Sequence, residues 1–117
     1  MDLIQYKNRN DEIVNAMRLN TKEDMYDVFL RYLAFTDDYS IASGDLTKNG
    51  KVVAIGDYLV IKDGKAFTEV DGMFRKTYYP ASFSEEQARK WKACPTLILT
   101  TCDTAEDALA ELERRGL

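Results

Sequence analysis

The 117-residue sequence contains no histidine. Without an imidazole group, the chain cannot carry out Ser-His-Asp hydrolysis or Cys-His thiol catalysis, and it cannot form a zinc site of the HExxH type. We therefore predict no catalytic residue, no metal site and no cofactor. The absence of histidine still leaves open an enzyme that uses carboxylates alone.

Cysteine is also scarce, because Cys94 and Cys102 are the only thiols and seven residues separate them. This spacing differs from the CxxC pattern of metal and redox sites, and the two residues can form one bridge at most. A reduced pair, buried or incidental, is the interpretation that the spacing favours. A thiolate nucleophile at either position would lack an imidazole partner.

Long apolar runs and an excess of positive charge are absent as well. No stretch approaches the roughly 18 apolar residues of a membrane span, and the N-terminus has no apolar signal region. We therefore predict a cytoplasmic protein with no membrane partner.

Sixteen basic and twenty acidic residues give a net charge of −4, which argues against a nucleic-acid partner. Two groups of acids are candidates for a local acidic face: Glu23, Asp24 and Asp27, and then Asp37 and Asp38.

The first half of the sequence predicts one strand, one helix and an antiparallel meander. Ile13 to Leu19 reads as a strand, and Thr21 with Asp24 forms a capping-box pattern at the start of a helix that ends near Ala34. The Asn49-Gly50 and Asp63-Gly64 dipeptides favour type I′ turns between strands. The predicted strands are Tyr39 to Ser43, Lys51 to Ile55, Tyr58 to Ile61 and Ala66 to Val70.

Residues 81 to 117 have a different pattern. Ser84 with Gln87 predicts a second capped helix, which continues through Trp91 and must stop before Pro95. Thr96 to Thr101 reads as a strand, and Asp103 or Thr104 then caps a final helix with Gly116 at its end. The predicted fold is α+β: a small, mainly antiparallel sheet with one packed helix and a C-terminal helix-strand-helix extension. We predict a single domain over residues 1–117, with a scaffold over 1–80 and the extension over 81–117.

Three stretches resemble a family of small phage and prophage proteins. They are Gly50 to Ile61, which contains Gly56-Asp57-Tyr58, then Lys62-Asp63-Gly64-Lys65, and then Phe74-Arg75-Lys76-Thr77-Tyr78-Tyr79-Pro80. The family has a GDY or GDW turn, a strand, a glycine turn and a terminal F-x-x-T-Y-x-P element. The resemblance covers about residues 1–80 and implies an origin in a mobile genetic element. Physically, turn chemistry and packing account for Gly56, Asp57, Thr77 and Tyr78, so we predict structural roles for these four.

The densest group of aromatic and basic residues lies between residues 75 and 92. Trp, Tyr and Arg are enriched at the energetic centres of protein interfaces, so this region is our candidate partner-binding site. Base stacking on single-stranded nucleic acid and simple packing of the short helix on the sheet are the alternatives. The predicted site residues are Arg75, Lys76, Tyr78, Tyr79, Phe83 and Trp91, with Arg89, Lys90 and Lys92 close in sequence.

Two other groups are weaker candidates. Asp37 and Asp38 with Asp45 could act as a carboxylate cluster, but a solvated turn explains them better. The stretch from Gly44 to Lys51 suggests a phosphate loop, yet it lacks the GxxxxGK[ST] order.

The function that these patterns favour is non-catalytic protein binding. The implied phage origin, the small size and the acidity indicate an inhibitor of a host defence complex, with anti-CRISPR activity as the leading case and a host or phage protein complex as partner. The alternative is an accessory protein that binds single-stranded nucleic acid through residues 75–92.

Overall fold

The computed structural model describes residues 2–116, which divide into two compact units. The first comprises residues 2–3 and 15–71, and the second comprises residues 4–14 and 72–116. The predicted α+β class with antiparallel strands is confirmed. In order, the elements are β1 (Ile4–Asn8), β2 (Ile13–Arg18), α1 (Lys22–Val28), a π-helical segment (Phe29–Leu33), β3 (Tyr39–Ala42), β4 (Asp45–Lys48), β5 (Lys51–Val52), β6 (Tyr58–Lys62), β7 (Lys65–Glu69), α2 (Asp71–Thr77), β8 (Tyr78–Pro80), α3 (Glu85–Ala93), α4 (Thr96–Thr101) and α5 (Ala105–Arg114).

The first unit contains two antiparallel arrangements of strands and one packed helix. β6 pairs with β2 on one side and with β7 on the other, while β4 pairs with both β3 and β5. The inner face of α1 and the π segment consists of Met25, Val28 and Leu33. These side chains pack in one buried cluster with Leu19, Leu46 and Leu59. Burial of this apolar face holds the helix in place.

The turns of the first unit follow the dipeptides that predicted them. Asn49 and Gly50 have φ values of 51° and 82°, and Asp63 and Gly64 have φ values of 51° and 77°. Positive φ at both central residues is the type I′ geometry, so both predicted turns are confirmed. The sequence prediction missed β4, which pairs with β3 across a further turn at Ser43 and Gly44.

The Gly56-Asp57 turn has the structural role that the sequence predicted. The Asp57 carboxylate accepts hydrogen bonds from the backbone N–H groups of Ala54 and Asp71, each at 3.2 Å. Gly56 has a φ of 99°, a conformation that glycine adopts without strain. Because Ala54 turns towards Asp57, β5 ends at Val52 and not at Ile55 as predicted.

The second unit packs three helices around Trp91. β1 pairs with β8, with Tyr6 opposite Pro80 and Asn8 opposite Tyr78. The core cluster consists of Tyr79, Trp91, Cys94, Ile98, Leu99, Ala108 and Leu112. The capping box at Ser84 and the cap at Thr104 are both present, as predicted. The sequence prediction missed β1, α2 and β8.

The predicted strand from Thr96 to Thr101 is wrong, because this segment is helix α4. Its β-branched residues favour a strand locally, but the Pro95 carbonyl accepts from the N–H groups of Ile98 and Leu99 and starts a helical turn. This turn buries Ile98 and Leu99 in the core of the second unit. The C-terminal extension is therefore helix-helix-helix and not helix-strand-helix.

Among residues 2–116, no helix combines the length and the hydropathy that a bilayer crossing requires.

Candidate partner-binding surfaces

The structure places all six predicted site residues in the second unit. Arg75 and Lys76 lie on α2, Tyr78 and Tyr79 on β8, Phe83 before α3 and Trp91 on α3. They do not form one exposed patch, because three of the six are buried and the other three are only partly exposed.

The three largest of these aromatic side chains are interior residues. Tyr78, Tyr79 and Trp91 are exposed to only 7%, 2% and 0% of their surface. The Tyr79 and Trp91 rings pack with their centroids 5.2 Å apart, and Phe83 packs against the same cluster. Base stacking needs an accessible ring face, and these three rings do not offer one. They support the surface from beneath, as the packing alternative predicted.

Arg75 holds the C-terminal end of α4. Its Nη1 donates to the carbonyl oxygens of Thr100 at 3.3 Å and Cys102 at 2.7 Å. Carbonyl groups at a helix C-terminus lack partners within the helix, so a guanidinium donor satisfies them. The side chain is 15% exposed, and we assign it a structural role.

Lys76 lines an open cleft of about 560 Å³ that we call the basic cleft. Its charged lining residues are Arg9, Lys76 and Lys92, and none of its lining residues is a carboxylate. The remaining lining residues are Asn8, Asn10, Thr77, Cys94 and Thr96.

Arg9 organises this cleft. Its Nε donates to the carbonyl oxygen of Lys76 at 3.2 Å, and its Nη1 donates to the carbonyl oxygen of Lys92 at 3.1 Å. The guanidinium carbon lies 4.5 Å from the centroid of the Trp91 ring, a cation–π distance. The sequence analysis missed Arg9, because its partners lie far along the chain and no local pattern indicates them.

A second polar cluster joins the turn between β1 and β2 to β8 and α3, and it shares Lys92 with the cleft. The Tyr79 hydroxyl donates to Asp11 Oδ1 at 2.5 Å, and Lys92 Nζ donates to the same oxygen at 2.8 Å. The hydrogen bond from Lys92 and then that from Tyr79 lower the pKa of Asp11. Burial, followed by the hydrogen bond to Asp11, raises the pKa of Tyr79 to about 12.

The weaker sequence candidates take structural positions. The stretch from Gly44 to Lys51 forms the β4 strand and its flanking turns, and Asp45 pairs with Lys22 at 3.4 Å. Within residues 2–116, no group of three histidine, cysteine or acidic side chains is placed to hold a metal ion. Cys94 and Cys102 are free thiols, and burial raises the pKa of Cys94.

The first unit carries an exposed apolar surface that the sequence analysis did not propose. Tyr26 on α1 and Leu30 on the π segment are exposed, as is Phe35 in the turn that follows the π segment, and we call these three residues the apolar stripe. Leu30 is 70% exposed and Phe35 is 88% exposed. The Tyr26 hydroxyl donates to the Gly44 carbonyl oxygen at 2.5 Å, which fixes its ring. Leu30 is an apolar residue on the polar face of an amphipathic helix, and this is the signal that could have indicated the stripe.

Acidic residues are close to the apolar stripe in the sequence. Glu23 and Asp27 are one helical turn apart on the outer side of α1, while Asp37 and Asp38 follow Phe35 in the chain and are exposed. The Asp24 carboxylate differs from these acids, because it caps α1 by accepting hydrogen bonds from the N–H groups of Asn20 and Thr21. The predicted acidic groups therefore flank the stripe on both sides along the chain.

Comparison of the chain with protein-family models, with curated proteins and with solved structures gives no match.

Proposed function

We propose that this protein is a non-catalytic protein-binding module of mobile-element origin that inhibits a host defence complex. Anti-CRISPR activity in the host cytoplasm is the leading case. The resemblance of residues 1–80 to phage and prophage proteins supports the origin. The apolar stripe is the observation that carries the binding function.

The exposure of Phe35 and Leu30 is costly for a protein that stays in water. A fully buried side chain of this size contributes about 1.5–3 kcal/mol relative to an exposed one, and that contribution is not realised here. A partner that covers both side chains would recover it. Large side chains at the centre of an interface, surrounded by polar groups that exclude water, are typical of binding hot spots.

The charges around the stripe indicate what kind of partner fits. Glu23, Asp37 and Asp38 are exposed acids, and the chain as a whole has a net charge of −4. Complementary charge favours a protein with an apolar recess bordered by lysine and arginine. Host complexes that handle nucleic acid have basic surfaces of this kind, because they neutralise phosphates.

The test is a phage-infection assay in hosts with an active CRISPR-Cas system, combined with binding of the purified effector. We expect the wild-type chain to restore plaque formation and to bind one effector complex. The double variant Leu30→Ala, Phe35→Ala removes the stripe and should weaken binding by about 30-fold or more, because hot-spot truncations cost at least about 2 kcal/mol.

Val52→Ala is the matched control, since Val52 is an exposed apolar residue of the same unit that lies outside the stripe. The control should bind like the wild type, and both variants should remain folded by circular dichroism. Intact interference in the presence of the wild-type chain, together with no effector binding, would overturn the proposal. Unchanged binding by the double variant would remove the apolar stripe from it.

A further inference from the structure

We propose that the basic cleft of the second unit is a binding site for a phosphate group. This inference does not depend on the proposed function, which rests on the first unit. Arg9, Lys76 and Lys92 line one cleft in a chain whose net charge is negative, and the Lys92 ammonium is the one of the three that pairs with a carboxylate, Asp11, among residues 2–116.

Hydrogen bonds to the backbone hold the three basic residues close together, although they are distant in the sequence. The Arg9 guanidinium donates to the carbonyl oxygens of both Lys76 and Lys92, so it fixes the main chain of the two lysines on either side of itself. The Trp91 ring beneath Arg9 limits the motion of the guanidinium. A site whose charged groups are positioned in advance loses less entropy when a ligand binds.

The charges in the cleft are only partly balanced by the protein. Asp11 pairs with Lys92, but it does not line the cleft, and Lys76 and Arg9 have no carboxylate partner within residues 2–116. Like charges repel one another across a cleft, and a bound anion removes that repulsion. Two of the three Arg9 nitrogens are occupied by carbonyl oxygens, which leaves Nη2 as a donor for a ligand.

The donors of the cleft suit a phosphate group. Guanidinium and ammonium groups form short, charge-assisted hydrogen bonds to phosphate oxygens. Asn10 and Thr96 are among the lining residues and have neutral donor groups. The volume of about 560 Å³ lies within the roughly 300–1,000 Å³ of small-molecule sites, so the phosphate can belong to a nucleotide-sized ligand.

The experiment is a titration of the full-length ¹⁵N-labelled chain, followed by two-dimensional NMR at constant ionic strength. The probes are inorganic phosphate, adenosine monophosphate, and a short single-stranded DNA with and without a 5′-phosphate. We expect saturable shifts of the amide signals of Arg9, Lys76 and Lys92, with no such saturation when chloride replaces phosphate.

The variant Lys76→Gln should weaken phosphate binding about tenfold, because it replaces a charged donor by a neutral amide on a polar side chain that is one bond shorter. Lys51→Gln is the matched control, since Lys51 is an exposed lysine of the first unit. Thermal unfolding of both variants checks that the fold is intact. Lys92→Gln is a second cleft variant for the case in which Lys76→Gln unfolds.

The pattern of binding among the probes then identifies the source of the phosphate. Tighter binding of adenosine monophosphate than of DNA indicates a free nucleotide. A preference for 5′-phosphorylated over unphosphorylated DNA indicates a strand end. Shifts that rise linearly without saturation, or an equal loss of binding in Lys51→Gln and Lys76→Gln, would overturn the proposal.

Discussion

At the scale of single residues, long-range contacts decide the roles of the polar side chains. Arg9 precedes its partners Lys76 and Lys92 by most of the length of the chain, yet it contacts both backbones and the Trp91 ring. Trp91 is fully buried, and its Nε1 has no hydrogen-bond partner within residues 2–116. The ring is therefore held by packing and by the guanidinium above it.

Replacement of Arg9 tests this arrangement. Arg9→Ala removes two hydrogen bonds and a cation–π contact, so we expect the free energy of unfolding to fall by about 1–2 kcal/mol. Arg89→Ala is the control, because Arg89 is an exposed residue whose ion pair with Glu86 spans 3.8 Å. Its effect should stay within about 0.5 kcal/mol. Equal urea midpoints for the two variants would contradict the role assigned to Arg9.

The pair formed by Asp11 and Tyr79 predicts how stability depends on pH. The pKa of Asp11 is lowered from 3.8, so its contribution to stability is present above that value and is lost as the pH falls below it. The pKa of Tyr79 is raised from 10.0 to about 12, so its contribution is present below pH 10 and is lost as the pH rises towards 12.

Urea unfolding of the wild type and of Asp11→Asn across both pH ranges measures this dependence. In the variant, the loss of stability in acid should be smaller, because the titrating carboxylate is gone. The alkaline loss should persist in part, since burial is the first cause of the Tyr79 shift. Parallel acid profiles for the two proteins would show that Asp11 does not contribute.

At the scale of elements, local signals predict boundaries better than they predict the type of element. The caps at Thr21 and Ser84 and the turns at Asn49 and Asp63 follow the sequence, because each depends on a few neighbouring atoms. The segment from Thr96 to Thr101 does not, because burial against α5 overrides its strand propensity.

The same contrast applies to the candidate surfaces. Sequence proximity indicated the region from Arg75 to Trp91, and Lys76 does line the basic cleft. The sequence left packing and partner binding open for Tyr79 and Trp91, because their burial depends on helices packed by contacts distant in sequence. The sequence analysis did not propose Phe35 as a surface residue, because an exposed aromatic side chain has the same sequence pattern as a buried one.

The cap of α3 can be tested by a single substitution. Ser84→Ala removes the acceptor of the Gln87 N–H, which lies at 3.1 Å from Ser84 Oγ, so we expect a loss of about 1 kcal/mol. Ser82→Ala is the control, because Ser82 is exposed and precedes the helix. The two free energies of unfolding from urea titration should differ by the cost of the cap. A Ser84→Ala variant as stable as the Ser82→Ala control would contradict the prediction.

At the scale of the whole molecule, the two units draw on different parts of the chain. The second unit needs residues 4–14 as well as residues 72–116. The prediction of a single domain with a scaffold over 1–80 stays a prediction. The cluster around Tyr79, however, includes Trp91, Ile98 and Leu112 from the region after Pro80.

A chain that ends at Pro80 tests whether the first 80 residues fold without the region that follows them. It removes the residues that bury Tyr79, so we expect the pKa of this tyrosine to return towards 10 and the binding of a hydrophobic dye to increase. A chain that ends at Arg114 keeps all three helices and serves as the control. The tyrosine titration is followed by NMR of the labelled residues, and a Tyr79 pKa near 12 in the shorter chain would contradict the prediction.

The pairing of β1 with β8 also sets an order of events during synthesis. Tyr6 is synthesised well before Pro80, its partner in the ladder of β1 and β8. Residues 15–71 supply nearly all of the first unit and emerge before the second unit has its helices. Since domains fold as units while the chain is made, the edge of β1 that pairs with β8 has no partner until Pro80 has been made. A strand that is made before the first unit thus belongs to the unit that is completed after it.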